Sequence, residues 1–329
     1  MSRAAVAVGL VLLAGCGGGE PAPPPRTTLV GLDGADWRNA LPLLRQGKLP
    51  VLGTLQRAGV SGIMLTNPDY RWSPVLWTTI ATGKLPQQHG IGGFMVLDAD
   101  AGKAIPTPST QRRCRALWNL FTEQDRTVGF VGWWMTWPAE KVNGFMVSDH
   151  FSLSRFKVDR KFEVRSEKFF ERQTYPEELL REIEGLKYSH DDVSRDDLAA
   201  FARLDEDFTW PETLEKFDRV SEFVIAHSVD RTHSAVAAKL LAERSPELLG
   251  VFLQGIDVMQ HFCWEFMDPE GAGTNPPPAE RERWGEAIER YYIFADRLVG
   301  SLIDAGGSER SVLVVSDHGF RPSTERWEK

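Results

Sequence analysis

The sequence predicts an α/β fold in which helices flank a mostly parallel central sheet, with a mainly helical inserted cap. Three apolar runs that suit buried strands lead into aspartates, namely 28–32 into Asp33, 248–256 into Asp257 and 311–315 into Asp317. Between residues 151 and 245 charged, helix-prone segments prevail and strand-like runs are scarce. We therefore expect a core in two parts, 27–150 and 247–329, separated by a cap over residues 151–246.

Proline and glycine residues indicate where the first helices and strands begin and end. After the strand that ends at Asp33, residues 50–59 read as a helix, because Pro50 suits a first helical turn and apolar residues recur on one face. Residues 60–66 are predicted as a second short strand.

A helix is then predicted over residues 73–83. Ser73 suits its N-cap, Pro74 its first turn and Gly83 its end. Ser73 has two compatible interpretations: a plain helix cap, or a nucleophile, since a helix N-terminus favours an alkoxide.

The remaining elements alternate between strands and helices. A helix over 117–124 and strands over 128–132 and 144–148 complete the first part of the core. The cap carries helix-prone segments at 176–186, 195–205 and 211–243. A surface loop at 268–278 and a long amphipathic helix over 280–305 lead back to the last strand.

Several conspicuous side chains receive a structural interpretation. Asp149-His150 follows an apolar run without a glycine and is interpreted as a structural pair. The tryptophans at 133, 134 and 137 are core residues or, alternatively, a pocket wall. The cap histidines, at 190, 227 and 233, are assigned no chemistry.

The aspartates that follow the three apolar runs are predicted to meet. The carboxyl ends of parallel strands lie at one edge of a sheet, which brings Asp33, Asp257 and Asp317 together. Unpaired carboxylates would repel each other there, so a cation is the natural compensation. His261 and His318 add imidazole nitrogens, which suit a borderline cation such as Zn²⁺.

The overall charge excludes one class of partner. The chain has 38 basic and 46 acidic residues, a formal net charge of −8, which argues against nonspecific binding of nucleic acid. Small or locally presented substrates are expected instead.

The N-terminus predicts export. Arg3, the apolar run 4–13 and then Leu13-Ala14-Gly15-Cys16 resemble the signal peptide and lipobox of bacterial lipoproteins, which implies lipidation of Cys16. An ordinary cleavable signal is the alternative. We expect residues 1–16 to be the signal and 17–26 a Gly/Pro-rich tether to the cell envelope, with the domain facing the periplasm or the cell surface. Cys114 and Cys263 are expected to be buried thiols rather than a disulfide.

Four motifs together support a family resemblance. The segment 73–90, which ends in Thr82-Gly83-Lys84-Leu85-Pro86-Gln87-Gln88-His89-Gly90, occurs with Asp33, Asp257-x-x-x-His261 and Asp317-His318-Gly319. This pattern, over about residues 27 to 320, resembles the type I phosphodiesterase/nucleotide pyrophosphatase family of the alkaline phosphatase superfamily. The resemblance implies an alkaline-phosphatase-like fold and metal-dependent hydrolysis of phosphodiesters or phosphomonoesters through a covalent phosphoserine at Ser73.

The resemblance also implies two divalent metal ions, Zn²⁺ or alternatively Mn²⁺. Asp33, Asp317 and His318 would hold one, and Asp257 and His261 with one further histidine the other. The family supplies that histidine well beyond the Asp-His-Gly motif, so we expect the sequence to be C-terminally truncated. Nucleotide pyrophosphatases also carry an asparagine soon after His-Gly, and residues 91–94 contain none.

The expected substrate is a small-molecule, lipid or nucleotide phosphate ester. Two alternatives stay open: a noncatalytic, lipid-anchored binding or envelope protein on the same scaffold, and a phosphoryl or sulfuryl transferase. A sulfatase is disfavoured because Ser73 is followed directly by Pro74 and by no nearby arginine.

Overall fold

A six-stranded, mostly parallel sheet forms the centre of the computed structural model, which describes residues 25–67, 69–98, 102–152, 171–211 and 217–322. The strands are β1 (Arg26–Leu32), β2 (Met95–Asp98), β3 (Lys103–Pro106), β4 (Val128–Val131), β5 (Gly144–Val147), β6 (Thr174–Tyr175), β7 (Leu248–Leu253) and β8 (Arg310–Val315). The sheet order is β6-β5-β4-β7-β1-β8, and only β6 runs antiparallel to its neighbour. β2 and β3 form a separate hairpin. The predicted fold class is confirmed.

Twelve α-helices are described around the sheet. They are α1 (Trp37–Arg45), α2 (Pro50–Ala58), α3 (Ser73–Thr82), α4 (Pro86–His89), α5 (Leu117–Glu123), α6 (Leu179–Ile183), α7 (Arg195–Ala199), α8 (Arg219–Arg244), α9 (Gly255–Met267), α10 (Pro269–Ala272), α11 (Pro278–Trp284) and α12 (Ala287–Gly306).

The central strands bury both faces, as parallel strands covered by helices do. In β7, Leu249, Val251 and Leu253 belong to one core cluster, while Leu248 and Phe252 belong to the other. The first cluster includes buried residues of α8, α9 and α12, and the second is rich in tryptophan around α3 and α5. The sheet is therefore fixed between two apolar layers, which holds its carboxyl edge in a defined geometry.

The register of the central strands aligns their carboxyl ends. β1 lies between β7 and β8 and is parallel to both, with Leu32 beside Leu253 and Gly31 beside Val315. Asp33 therefore leaves the sheet next to the end of β7. The apolar run predicted over 248–256 is a strand only in its first part, because β7 stops at Leu253 and α9 begins at Gly255.

Three further predictions on local structure are wrong. Residues 60–66 form no strand; Val60, Ile63 and Leu65 are more than four-fifths exposed, because no neighbouring strand pairs with them. The predicted helix 280–305 is two helices, α11 and α12, separated at Gly285 and Glu286. The predicted loop 268–278 contains the short helix α10.

The described residues cover some of the predicted domains and leave others out. α8 lies inside the predicted cap range yet packs against β7, and the boundaries of the cap stay a prediction. The predicted signal peptide, Cys16 and most of the tether fall on residues 1–24, outside the described residues.

Among the described helices, none combines the length and apolar character needed to cross a membrane. Cys114 and Cys263 are free thiols; Cys263 is buried, as predicted, and Cys114 is half-buried.

Candidate active site

The loop after β1 brings the first predicted ligand to the edge of the sheet. Asp33 is 3% exposed, and its backbone N–H donates to the Leu253 carbonyl at 2.9 Å. The next residue, Gly34, has φ +66 and donates its N–H to Asp317 Oδ1 at 3.3 Å. These bonds connect the ends of β7, β1 and β8, so the loops that carry Asp33 and Asp317 have one fixed arrangement.

Asp33, Asp317 and His318 form one cluster of ligand-type groups. One ligand atom from each lies within 4.8 Å of the others. His318 Nε2 is 3.5 Å from Asp33 Oδ1, 3.6 Å from Asp317 Oδ2 and 3.8 Å from Asp257 Oδ1. His318 Nδ1 is 3.0 Å from the Gly319 carbonyl, which can only accept, so Nδ1 carries the proton. Nε2 is thereby the ring nitrogen that faces the carboxylates.

The cluster has uncompensated negative charge. Burial raises the pKa of Asp33 well above its usual range, and the charges of Asp317 and Asp257 raise it further. Burial likewise raises the pKa of Asp317 to about 7, against hydrogen bonds that lower it. Asp317 Oδ2 and Asp257 Oδ1 are buried and accept no hydrogen bond from the described residues. Two carboxylates and one imidazole with free lone pairs fit a divalent cation such as Zn²⁺.

The predicted second pair of ligands lies beside this cluster. Asp257 and His261 are one turn apart on α9, with His261 Nε2 3.5 Å from Asp257 Oδ1. The His261 side chain is 58% exposed and packs edge-on against Phe320, with ring centroids 4.8 Å apart. Asp257 thus reaches the first cluster, while His261 lies at its open side.

Ser73 lies against the same cluster. It is the first residue of α3, 9% exposed, with its Oγ 3.5 Å from Asp33 Oδ1. The N-cap residue is Trp72, and the Ser73 hydroxyl makes no capping hydrogen bond. The plain-cap interpretation is therefore not supported by the geometry, whereas the hydroxyl does lie at a helix N-terminus beside the carboxylates.

The other conspicuous motifs have structural roles. His89 is fully buried, accepts the Ile91 N–H at Nδ1 and contacts Thr79 Oγ1 with Nε2 at 3.2 Å. Asp149 accepts hydrogen bonds from Met135 N and Thr136 Oγ1, in agreement with its interpretation as part of a structural pair. These contacts connect α3 to α4 and β4 to β5, and they bring no further ligand to the cluster.

Two residues that support the cluster, Asp36 and Gln260, were not predicted from the sequence. Asp36 caps α1 by accepting Arg38 N–H and also accepts Phe320 N–H at 2.9 Å, which fixes the loop after His318. Gln260 Nε2 donates to the Gly34 carbonyl at 2.8 Å. No sequence signal joins these pairs, because each spans more than 200 residues of chain.

Substitution of Gly34 is expected to weaken cation binding. A Cβ there would lie 2.9 Å from Asp257 Oδ1, and the positive φ strains any side chain. Gly47 is a matched control, with φ +70 and nothing within 4 Å of its Cβ. We expect Gly34→Ala to lower Zn²⁺ affinity about tenfold or more, and Gly47→Ala to leave it unchanged while costing about 1 kcal/mol. Calorimetric titration measures the affinity; equal affinities in both variants would contradict the assigned geometry.

Asp230 fixes the start of the helix that carries Asp257. It lies on α8, is 1% exposed, and accepts N–H bonds from Gln254 at 2.8 Å and Gly255 at 3.0 Å. Tyr291 also donates its hydroxyl to it, at 3.0 Å. Burial raises the pKa of Asp230 to about 7, despite these hydrogen bonds, which lower it.

This raised pKa predicts a pH dependence of stability. Between the ordinary value of 3.8 and about 7 the folded Asp230 binds more protons than the unfolded chain, so its contribution to stability falls as the pH rises through that window. The free energy of unfolding of the wild type should therefore fall by roughly 3 kcal/mol between pH 4 and 8 because of Asp230. We expect Asp230→Asn to abolish this decrease. Urea unfolding of both proteins across this range measures the difference, and parallel pH profiles would contradict it.

Comparisons with known proteins agree with the family suggested by the motifs. The family model described as type I phosphodiesterase / nucleotide pyrophosphatase matches residues 27–328. Two solved structures of phosphonoacetate hydrolase from Sinorhizobium meliloti 1021, in complex with phosphonoformate and with phosphonoacetate, are 18% identical to this chain, with TM-scores of 0.47 and 0.43. Each match covers 90% of this chain but only 57% of the hydrolase. No curated protein matches the sequence.

Proposed function

Because this chain belongs to the type I phosphodiesterase / nucleotide pyrophosphatase family, we propose that it hydrolyses phosphoric esters, either phosphodiesters or phosphomonoesters, at a divalent-metal site. The observation that carries the proposal is the gathering of Asp33, Asp317 and His318 around one point, with the Ser73 oxygen 3.5 Å from Asp33. A buried hydroxyl beside a cation site is the arrangement that nucleophilic phosphoryl transfer needs.

The residues for the cation are proposed from the donor set. Asp33, Asp317 and His318 would hold one ion, and Asp257 and His261 would contribute to a second. Zn²⁺ suits these oxygen and nitrogen donors, and Mn²⁺ is the alternative. When bound, such ions lower the pKa of a neighbouring hydroxyl and neutralise the charge of the phosphoryl oxygens. His318 offers Nε2 to the cation because its Nδ1 faces the Gly319 carbonyl.

Ser73 is the proposed nucleophile. Its Oγ loses its proton and forms a bond to phosphorus while the bond from phosphorus to the leaving oxygen breaks; that oxygen takes up a proton, which gives a phosphoserine and the free alcohol. A water molecule then attacks phosphorus and keeps its oxygen there, the bond to Oγ breaks, and a proton of the water restores the serine hydroxyl. Asp33 orients the hydroxyl, and the amino end of α3 contributes a partial positive charge that favours the alkoxide.

We further propose that the enzyme acts at the cell envelope. The run Leu13-Ala14-Gly15-Cys16 supports export and lipidation of Cys16, and the tether at 17–26 supports a domain held close to a membrane. Residues 151–246 are the proposed cap, a region suited to substrate selection. Small-molecule or lipid phosphate esters are then the proposed substrates, and the net charge of −8 disfavours nucleic acid.

Metal-dependent turnover tests the function. The protein is stripped with EDTA, reloaded with Zn²⁺ or Mn²⁺, and assayed on bis-p-nitrophenyl phosphate and p-nitrophenyl phosphate. We expect release of nitrophenolate only from the reloaded protein. Metal binding without turnover of either ester would instead support the noncatalytic binding protein, and transfer to added alcohols in place of water would support a transferase.

A further inference from the structure

A second feature lies at the same edge of the sheet: a cavity of about 60 Å³ beyond the ends of β4, β5 and β7. Its walls include the aromatic rings of Phe94, Trp134 and Phe252 and the polar side chains of Ser152 and His233. Since ligands of open α/β sheets bind beyond the carboxyl ends of the strands, this position is that of a ligand site.

Contacts join the cavity to the candidate active site. The Phe94 ring packs edge-on against Trp72, with centroids 5.8 Å apart, and against Trp134, with centroids 5.4 Å apart. Trp72 immediately precedes Ser73. On the other side Gln254, which lines the cavity, follows Leu253, whose carbonyl accepts the Asp33 N–H. The ring of Phe94 and the residue pair Leu253-Gln254 therefore connect the cavity wall to the residues next to Ser73 and Asp33.

His233 presents an unused acceptor in the cavity wall. It is 2% exposed, and its Nδ1 lies 2.8 Å from the Phe252 carbonyl, which can only accept, so Nδ1 carries the proton. Nε2 has no partner among the described residues. Burial lowers the pKa of His233 to about 4, against the bond to Phe252, which raises it, and the ring is neutral at pH 7. The ring packs where a Cβ on Gly132 would lie 2.0 Å from its Cε1, so this position requires glycine.

Two more polar atoms of the same wall lack partners. Trp134 Nε1 and Ser152 Oγ are buried and form no hydrogen bond within the described part of the chain. Buried polar groups in proteins are mostly hydrogen-bonded, so these three atoms give the cavity wall the capacity to bind a polar group of a ligand. A hydroxyl group complements this wall, because it donates to an imidazole nitrogen and accepts from an indole N–H.

The size of the cavity limits the rest of the ligand. About 60 Å³ has room for about four water molecules, and it is well below the ~150 Å³ of a cavity that accepts benzene. A short alkyl chain fits, whereas a nucleobase or phenyl ring does not. The aromatic walls favour such a chain, and Asp149, which also lines the cavity, disfavours an anionic group.

We propose that this cavity is a subsite for a short hydroxyalkyl group of the phosphate ester, whose hydroxyl donates to His233 Nε2 and accepts from Trp134 Nε1. The inference rests on the proposed phosphoester hydrolysis and deepens it. It selects esters of small polyol-like alcohols over nucleotides and aryl esters, with His233 and Trp134 as specificity-determining residues.

Two nearly isosteric substrates test the subsite. p-Nitrophenyl 3-hydroxypropyl phosphate and p-nitrophenyl butyl phosphate release the same nitrophenolate and differ by a hydroxyl in place of a methyl group. The reloaded wild-type protein is expected to favour the hydroxypropyl ester by about tenfold or more in kcat/KM, because the butyl ester leaves the buried polar atoms unpaired.

Variants of His233 and Trp134 test whether these two residues cause the preference for the hydroxypropyl ester. In His233→Asn the amide nitrogen retains a donor for the Phe252 carbonyl but removes the acceptor at Nε2, and the preference should fall to about twofold or less. Trp134→Phe, which keeps an aromatic wall, should reduce it as well. His227→Asn is the matched control, because His227 is equally buried on α8 but does not line the cavity; it should keep the wild-type preference.

The outcomes separate the two claims. Equal kcat/KM of wild-type protein for both esters, or an unchanged preference in both cavity variants, would overturn the subsite and leave the hydrolytic function standing. No turnover of either ester with Zn²⁺ or Mn²⁺ would overturn the function, and the subsite with it.

Discussion

Ser73→Ala is expected to lower kcat/KM for bis-p-nitrophenyl phosphate by at least about a thousandfold, because it removes the atom that bonds to phosphorus. The Ser73 hydroxyl is buried and makes no helix cap, so its loss should change stability by less than about 1 kcal/mol. Zn²⁺ affinity should also stay close to that of the wild type, since Ser73 is outside the proposed ligand set. Steady-state kinetics with matched metal content measures the change.

A second serine provides the control. Ser228 is 3% exposed on α8, and its Oγ has no hydrogen-bond partner among the described residues. Ser228→Ala should therefore retain full activity. If the Ser73 variant turned over the ester as fast as the Ser228 variant, Ser73 would not be the nucleophile.

Asp317→Asn is expected to change stability in opposite directions with and without metal. The metal-free variant should be more stable than the wild type at pH 8 by about 1–3 kcal/mol, because it removes one of three neighbouring carboxylates, of which Asp33 and Asp317 are buried. Its Oδ1 can still accept the Gly34 N–H. With Zn²⁺ at a hundredfold excess over the wild-type Kd, however, the variant should lose most of the ~2.7 kcal/mol that binding adds.

Asp296→Asn is the corresponding control. Asp296 is 1% exposed and accepts N–H bonds from Val51 and Leu52, away from the cluster. This variant should keep the stabilisation by Zn²⁺. Thermal melts of the three proteins with EDTA and with Zn²⁺ measure both effects, and a wild type that Zn²⁺ fails to stabilise would contradict the cation site.

The sequence predicted the parts of the site that depend on local patterns. An apolar run followed by an aspartate predicts a buried strand with a carboxylate at its carboxyl end. Because the carboxyl ends of parallel strands share one edge of the sheet, Asp33 and Asp317 come together there. Pro74 and Gly83 marked α3 to within one residue. The error at residues 60–66 has a physical reason: apolar content predicts a strand, but a strand also needs a neighbour to pair with.

The remaining parts depend on contacts that are distant in sequence. Asp230 caps the start of α9 from α8, and Asp36 holds the loop after β8, and neither pairing has a spacing or composition that reveals it. His233 was assigned no chemistry because its surroundings in the sequence are charged. In the structure, α8 packs on the sheet and buries the His233 ring. Its Nε2 therefore has no partner among the described residues and lies at the carboxyl edge of the sheet, where ligands bind.

We propose that Asp33, Asp317 and His318 hold a divalent cation beside Ser73. Crystals grown with Zn²⁺ and measured on both sides of the zinc absorption edge show whether zinc binds there. We expect an anomalous peak within about 2.0–2.2 Å of a carboxylate oxygen of each aspartate and of His318 Nε2. A fully occupied zinc peak elsewhere, with these three side chains free of metal, would contradict it.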